Sequence, residues 1–171
     1  MVTEMKEKNK LNVVRVKLVE DIPLYSDETV GCAADAVDIL KKELSTYDRE
    51  VFGIINLDTK GKVLNFNIVS VGTLNSSAAH PRETLKTAIL SNSASFIAIH
   101  NHPSGFPSPS PEDLLTTQRL YEAGELIGIE MLDHIIVAEN KIFSFAENNL
   151  LGKTFKEAKL MLGMNDNTID Y

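Results

Sequence analysis

His100 and His102 stand two residues apart, and Asp113 follows His102 by eleven residues. If Phe96–His102 is extended, both imidazoles share one face with Phe96 and Ala98, because side chains alternate along a strand with period two. Asp113 comes after a loop of Gly and Pro residues that can fold back, in the first turn of the next helix. Two nitrogens and one carboxylate can then converge on a single cation. Catalytic zinc sites have this donor number, with three protein ligands at ~2.0–2.2 Å and a fourth position left to water. A metal so held polarises a carbonyl and lowers the pKa of water from about 15.7 toward ~7. The protons still need a carrier, and Glu50 is the candidate. It begins an apolar strand, where packing beside Val51 and Phe52 does not call for a carboxylate. Ser110 can stand beside the metal and donate a hydrogen bond to the oxyanion of a tetrahedral intermediate. Together these residues fill the roles of an amide hydrolase.

The elements that must position them read as follows. Residues 1–10 are polar and charged, as in a frayed arm, and Val14, Val16 and Leu18 then alternate with Arg15 and Lys17 as in a half-buried strand. Segment 31–45 reads as a helix, with Ala33, Ala36, Val37, Leu40 and Leu44 at three- and four-residue spacings and Ser26 and Asp27 as start signals. Glu50–Leu57 and Lys62–Val71 are rich in Val, Ile and Phe, and Asp58-Thr-Lys-Gly61 between them supplies the turn of a hairpin. His80-Pro-Arg-Glu83 opens a helix that carries Leu85, Ala88 and Ile89 inward, with Pro81 in the first turn.

Ser95–His100 reads as a buried strand. Ser110-Pro-Glu-Asp113 starts a helix that runs to Gly124 or Gly128, either of which can supply a left-handed cap. Leu132–Ala138 and Lys141–Phe145 form a second hairpin across Glu139-Asn140, and Thr154–Leu162 a closing helix. Strands and helices mix without strict alternation, so an α+β fold with a mixed sheet is expected rather than a doubly wound parallel one.

Composition limits the partners. Among 171 residues, 17 Lys and Arg face 24 Asp and Glu, a formal net charge of −7. Strong non-specific nucleic-acid binding needs clustered basic residues to displace counterions, and that footprint is missing, although a small basic patch stays open. One cysteine, Cys32, excludes an internal disulfide and every multi-cysteine zinc or iron–sulfur framework, and points to a reducing compartment. No apolar run reaches the ~18 residues of a membrane span, and the opening residues lack a signal-peptide core. A cytoplasmic protein is expected. The biased stretch Pro103–Pro111 holds four of the six prolines and directs attention to the histidines beside it.

The arrangement His100-Asn-His102, seven residues, Ser110, two residues, Asp113, with Glu50 upstream, resembles the JAMM metalloprotease pattern of JAB/MPN domains. Together with His80-Pro-Arg-Glu83, His100-Asn-His-Pro-Ser-Gly105 and Leu132-Asp-His-Ile135, it is similar to the RadC branch of that family. The resemblance covers roughly Asp48–Asn149. It implies an α/β fold of the α+β, MPN type with a mixed, curved sheet flanked by helices. Residues 1–47 then form an N-terminal strand-helix extension and residues 48–171 the RadC-like domain. It also implies Zn2+ held by His100, His102 and Asp113, Glu50 as general acid/base, Ser110 as oxyanion stabiliser, and a peptide or protein substrate cut at a peptide or isopeptide bond. The RadC branch carries a DNA-repair name. The alternative reading is therefore a non-catalytic, zinc-stabilised module that associates with DNA or with other proteins.

Each residue also has a plainer reading. Ser110, Pro111 and Asp113 fit the N-cap, first and capping-box positions of a helix, and capping and catalysis are compatible at Ser110. Glu50 can belong to a solvated Asp48-Arg49-Glu50 loop. His134 can be a fourth ligand, a partner behind a ligand, or a core residue satisfied in place. His80 shapes a helix start, Arg82 suits either a substrate carboxylate or an exposed salt bridge, and Phe106 suits a substrate contact or a cover for the core. A nuclease or nucleobase deaminase is a weaker reading, because one cysteine cannot supply the His/Cys/Cys zinc set of those deaminases.

Overall fold

A computed structural model of the chain describes residues 17–19, 33–72, 79–139 and 141–164. In chain order the elements are α1 (Ala33–Leu44), β1 (Val51–Leu57), β2 (Val63–Val71), α2 (Pro81–Leu90), β3 (Ser95–Asn101), α3 (Pro111–Ile127), β4 (Glu130–Ala138), β5 (Lys141–Ser144) and α4 (Phe155–Met161). The strands form one sheet in the order β2-β1-β3-β4-β5. The β3–β4 pair is parallel and the other pairs are antiparallel, so the fold is α+β with a mixed sheet.

The apolar pattern of the strands explains this layering. Every residue of β1 and of β3 is buried, as central strands covered on both faces require. On one face, Val51, Ile55, Leu57, Ile97, Ile99, Ile135 and Val137 pack with Val37, Leu40 and Leu44 of α1. The helix within the segment read as an extension thus shares the core of the sheet. On the other face, Phe52, Ile54, Phe96, Ala98 and Met131 pack with Leu85 and Ala88 of α2 and Leu120 of α3. Leu114, Ile136, Phe145, Leu150 and Ala158 form a third cluster, through which α4 joins the body.

Both hairpins form where the turn residues lie. In the first, Asp58 Oδ1 accepts the Lys60 and Lys62 amides at 2.8 and 2.9 Å. In the second, Glu139 follows β4 with φ 50°, and Asn140 lies outside the described residues. Helix α4 begins with the Thr154–Glu157 capping box. Two expectations change and one open alternative is settled. Ile89 is 56% exposed, and Thr84 takes the inward position with Leu85 and Ala88. Of the two glycines proposed as the end of α3, Gly128 is the left-handed cap at φ 74°. Gly124 lies inside the helix, where a Cβ would meet the Ile129 carbonyl oxygen at 2.6 Å. Lys17 and Leu18, the described part of the expected N-terminal strand, carry no regular structure. The rest of that strand, the arm 1–10 and the start signals Ser26 and Asp27 lie outside the described residues, as do the side chains of Ala33 and Ala36. Among the described residues no helix is long and apolar enough to cross a membrane.

Candidate metal centre

β3 delivers the first imidazole. His100 pairs across the sheet with Phe52 of β1, their rings stacked with centroids 5.9 Å apart. His102 lies one residue beyond the end of β3, yet its amide donates to the Val137 carbonyl at 2.7 Å and keeps the chain extended. The period-two expectation therefore survives the strand's formal end. His100 Nε2 and His102 Nε2 are 3.0 Å apart.

Asp113 reaches the same point from the start of α3. Its Oδ1 lies 3.1 Å from His100 Nε2 and its Oδ2 3.4 Å from His102 Nε2. Ligand atoms from His100, His102 and Asp113 all fall within 4.8 Å of one another. The carboxylate is fixed by the helix start itself. Oδ2 accepts the Ser110 amide and the Ser110 hydroxyl, each at 2.7 Å, while Ser110 Oγ accepts the Asp113 amide at 3.2 Å. The capping reading of Asp113 holds, the same geometry leaves the carboxylate facing the two imidazoles, and the Ser110 hydroxyl donates its hydrogen bond to Asp113.

The loop between the histidines and α3 completes the orientation of His102. Gly105 adopts φ 79°, a left-handed conformation that glycine takes without strain. The chain turns back there, and the Phe106 carbonyl accepts from His102 Nδ1 at 2.8 Å. With Nδ1 as donor, Nε2 is the atom free to ligate, the arrangement that outer partners usually impose on metal-binding histidines. The Phe106 side chain is 72% exposed, so it does not cover the core.

The electrostatics suit a cation. Burial would raise the Asp113 pKa, but hydrogen bonds from His100 and His102, with attraction from His100 and His134, hold it far below the usual carboxylate range. Burial likewise opposes charge on His102, yet Asp113, the Phe106 carbonyl and Glu50 hold it above the ordinary imidazole value. Three electron-pair donors facing one another at these distances can hold a cation in their midst, and an N,N,O set of this kind suits zinc.

Glu50 is partly buried at the entrance to β1, close enough for its charge to act on His102. The pairing of β1 with β3 ends at Phe52 and His100, and Glu50 and His102 each lie two residues beyond it. Asn101, between the two histidines, secures this stretch. Its Oδ1 accepts the Val51 amide at 2.7 Å and its Nδ2 donates to the Arg49 carbonyl at 3.0 Å. Sequence reasoning passed over Asn101. The available signal was a side-chain amide in an otherwise apolar buried strand, which needs polar partners.

The other singled-out residues lie around this centre. His134, fully buried on β4, stands behind His100, its Nε2 2.9 Å from His100 Nδ1, and is not among the three convergent groups. Burial, with the neighbouring His100, pushes its pKa down to about 3. His80 caps α2, its Nδ1 accepting the Arg82 amide at 3.1 Å, and Arg82 makes an exposed salt bridge with Glu83.

A mixed α+β sheet that brings two histidines from one strand end against an aspartate at a helix start defines a class of domain with a site able to hold a metal ion. Residues 30–150 match the RadC-like JAB domain family, and the chain belongs to that family. It is 52% identical over 116 residues to a UPF0758 protein of Desulforudis audaxviator, covering 68% of this chain and 50% of that one. It is 46% identical over 130 residues to a UPF0758 protein of Desulforamulus reducens, covering 76% and 57%. With a UPF0758 protein of Listeria innocua it shares 44% over 135 residues, 77% and 60%. The chain spans about half the length of these relatives.

Proposed function

We propose that this chain is a zinc-dependent hydrolase that cleaves peptide or isopeptide bonds in a peptide or protein substrate. The observation that carries the proposal is the convergence of His100 Nε2, His102 Nε2 and the Asp113 carboxylate within 4.8 Å, on side chains already tied from behind. Zinc held there supplies Lewis acidity, which lowers the pKa of a water molecule toward ~7 and polarises a carbonyl. Glu50, whose charge reaches His102, takes a proton from the attacking water and delivers it to the leaving amine. One C–O bond forms, the C–N bond breaks, and the proton ends on the nitrogen. Ser110 stabilises the developing oxyanion by turning its hydroxyl from Asp113 toward the substrate. Phe106 offers an apolar surface beside the scissile bond.

The test is a substrate trap. Glu50→Gln keeps the three ligands and removes the proton carrier, so it is expected to retain zinc, lose turnover and hold intact polypeptide substrate. A Glu50→Gln protein that captures nucleic acid instead would favour the DNA-associated reading, although a net charge of −7 weighs against general nucleic-acid affinity. Zinc binding with full turnover in Glu50→Gln would remove Glu50 from the mechanism.

A further inference from the structure

His134 and Thr117 take no part in the chemistry above, yet they form a continuous hydrogen-bonded line to the metal centre. Thr117, on α3, lies one helical turn beyond Asp113, and both are buried. Its Oγ1 lies 2.6 Å from the Asp113 carbonyl oxygen and 2.6 Å from His134 Nδ1. Contacts this short between electronegative atoms each need a proton. The carbonyl has none, so the hydroxyl donates to it, and the second proton must come from His134 Nδ1.

The His134 ring is wholly buried, stacked on Phe145 with centroids 4.9 Å apart and set edge-on to Phe52 at 5.7 Å. A neutral ring with its proton on Nδ1 has a bare Nε2. That atom faces His100 Nδ1 at 2.9 Å, so His100 Nδ1 is the donor. His100 Nδ1 thereby keeps its proton, and Nε2, 3.0 Å from His102 Nε2 and 3.1 Å from Asp113 Oδ1, is the atom left to exchange a proton for a metal.

We infer that Thr117 and His134 are positioning residues that hold a proton on His100 Nδ1, so that Nε2 is the ring atom given to the metal. This deepens the zinc reading and rests on it for its purpose, but the proton positions exist in the metal-free protein and can be measured there. The direction of the line is set at one end by a backbone carbonyl, which cannot reverse its role. An imidazole left to itself exchanges between tautomers, and the form with a proton on Nε2 cannot ligate through that atom.

The experiment measures proton positions by 15N NMR of the histidine rings in metal-free protein, and zinc affinity by competition with a chromophoric chelator. In the wild type, His134 and His100 are expected to carry protons on Nδ1. Thr117→Val keeps the shape and removes the hydroxyl. It is expected to move the His134 proton to Nε2, drive the His100 proton to its own Nε2, and weaken zinc binding ~10–100-fold, the usual cost of losing a partner behind a ligand. Thr117→Ser restores the hydroxyl and is expected to restore both readouts. His134→Phe keeps the stacking and removes the acceptor, and is expected to weaken zinc binding similarly. A bare His100 Nδ1 in the wild type, or Thr117→Val indistinguishable from Thr117→Ser in both readouts, overturns the inference. Protons in the expected places in a wild type that binds no zinc would overturn the hydrolase reading instead.

Discussion

Asn101 holds Val51 through a side-chain-to-amide hydrogen bond of 2.7 Å, and the same amide group grips the Arg49 carbonyl at 3.0 Å. The residue between the two candidate ligands thus secures the backbone on both sides of Glu50. The imidazoles at the end of β3 and the Glu50 carboxylate ahead of β1 share one fixed frame, although fifty residues separate Glu50 from His100.

Asn101→Ala breaks that frame. The buried Val51 amide loses its acceptor, which costs about 1–3 kcal/mol, and a chain of this size loses roughly 2–4 °C in Tm per kcal/mol. Thermal denaturation is expected to show a drop of several degrees while elemental analysis finds zinc content unchanged. Loss of zinc in this variant would mean that Asn101 supports the ligands rather than the Glu50 segment.

Zinc is expected to stabilise the folded chain. At a free concentration one hundred times Kd, mass action adds about 2.7 kcal/mol, or ~5–10 °C for a domain of this size. Melting curves with added zinc and with a chelator measure the difference. Coincident curves would contradict a metal centre built from these residues.

Removal of single ligands separates two effects. His100→Ala is expected to lose zinc and leave the start of α3 intact. Asp113→Ala is expected to lose zinc and also the Ser110 capping box, with a further stability loss of about 1 kcal/mol, typical of a lost cap. Zinc content and metal-free Tm together test this, and unchanged zinc in both variants would defeat the ligand assignment.

Acidity is expected to compete with the metal. His102 is held above the ordinary imidazole value, with burial opposing and Asp113 and the Phe106 carbonyl prevailing. The charged ring therefore stabilises the metal-free protein fully below its unfolded pKa of ~6.5, and that contribution is lost as pH rises through the folded value. Zinc needs a bare Nε2, so its affinity should increase with pH across the same window and its binding should release a proton. Calorimetry in buffers of different ionisation enthalpy counts that proton. Asp113 behaves oppositely. Its depressed pKa stabilises the fold above ~3.9, and that contribution fails only in stronger acid.

Gly124→Ala probes the α3–β4 junction. An added Cβ would stand 2.6 Å from the Ile129 carbonyl and 3.3 Å from the Phe96 ring. Backbone must shift to admit it, and the cost should resemble other overpacked interiors at ~1–3 kcal/mol. A higher Tm, as expected of alanine in an unobstructed helix, would show that the junction yields.

Much of this was legible from residue type and spacing. The hairpin turns at Asp58–Gly61 and after Ala138, the buried run Ser95–His100 and the capping signals at Ser110 and Thr154 are local, and local chemistry decides them. The His100, His102 and Asp113 cluster was legible because a strand period and a short loop fix it within fourteen residues. The line from Thr117 through His134 was not. It depends on β4 lying parallel to β3 with Ala98 beside His134, a long-range register that composition does not disclose. The exposure of Ile89 was missed for a related reason, since which stripe of a short helix faces inward depends on what packs against it.

Asp113 answers to two demands at once, closing the first turn of α3 and facing two imidazoles. A relative that held no metal would still have a folding reason to keep this carboxylate. Its presence in a related sequence is therefore a poor marker of a working centre. His100 and His102 serve no helix cap, and their joint survival is the more discriminating sign.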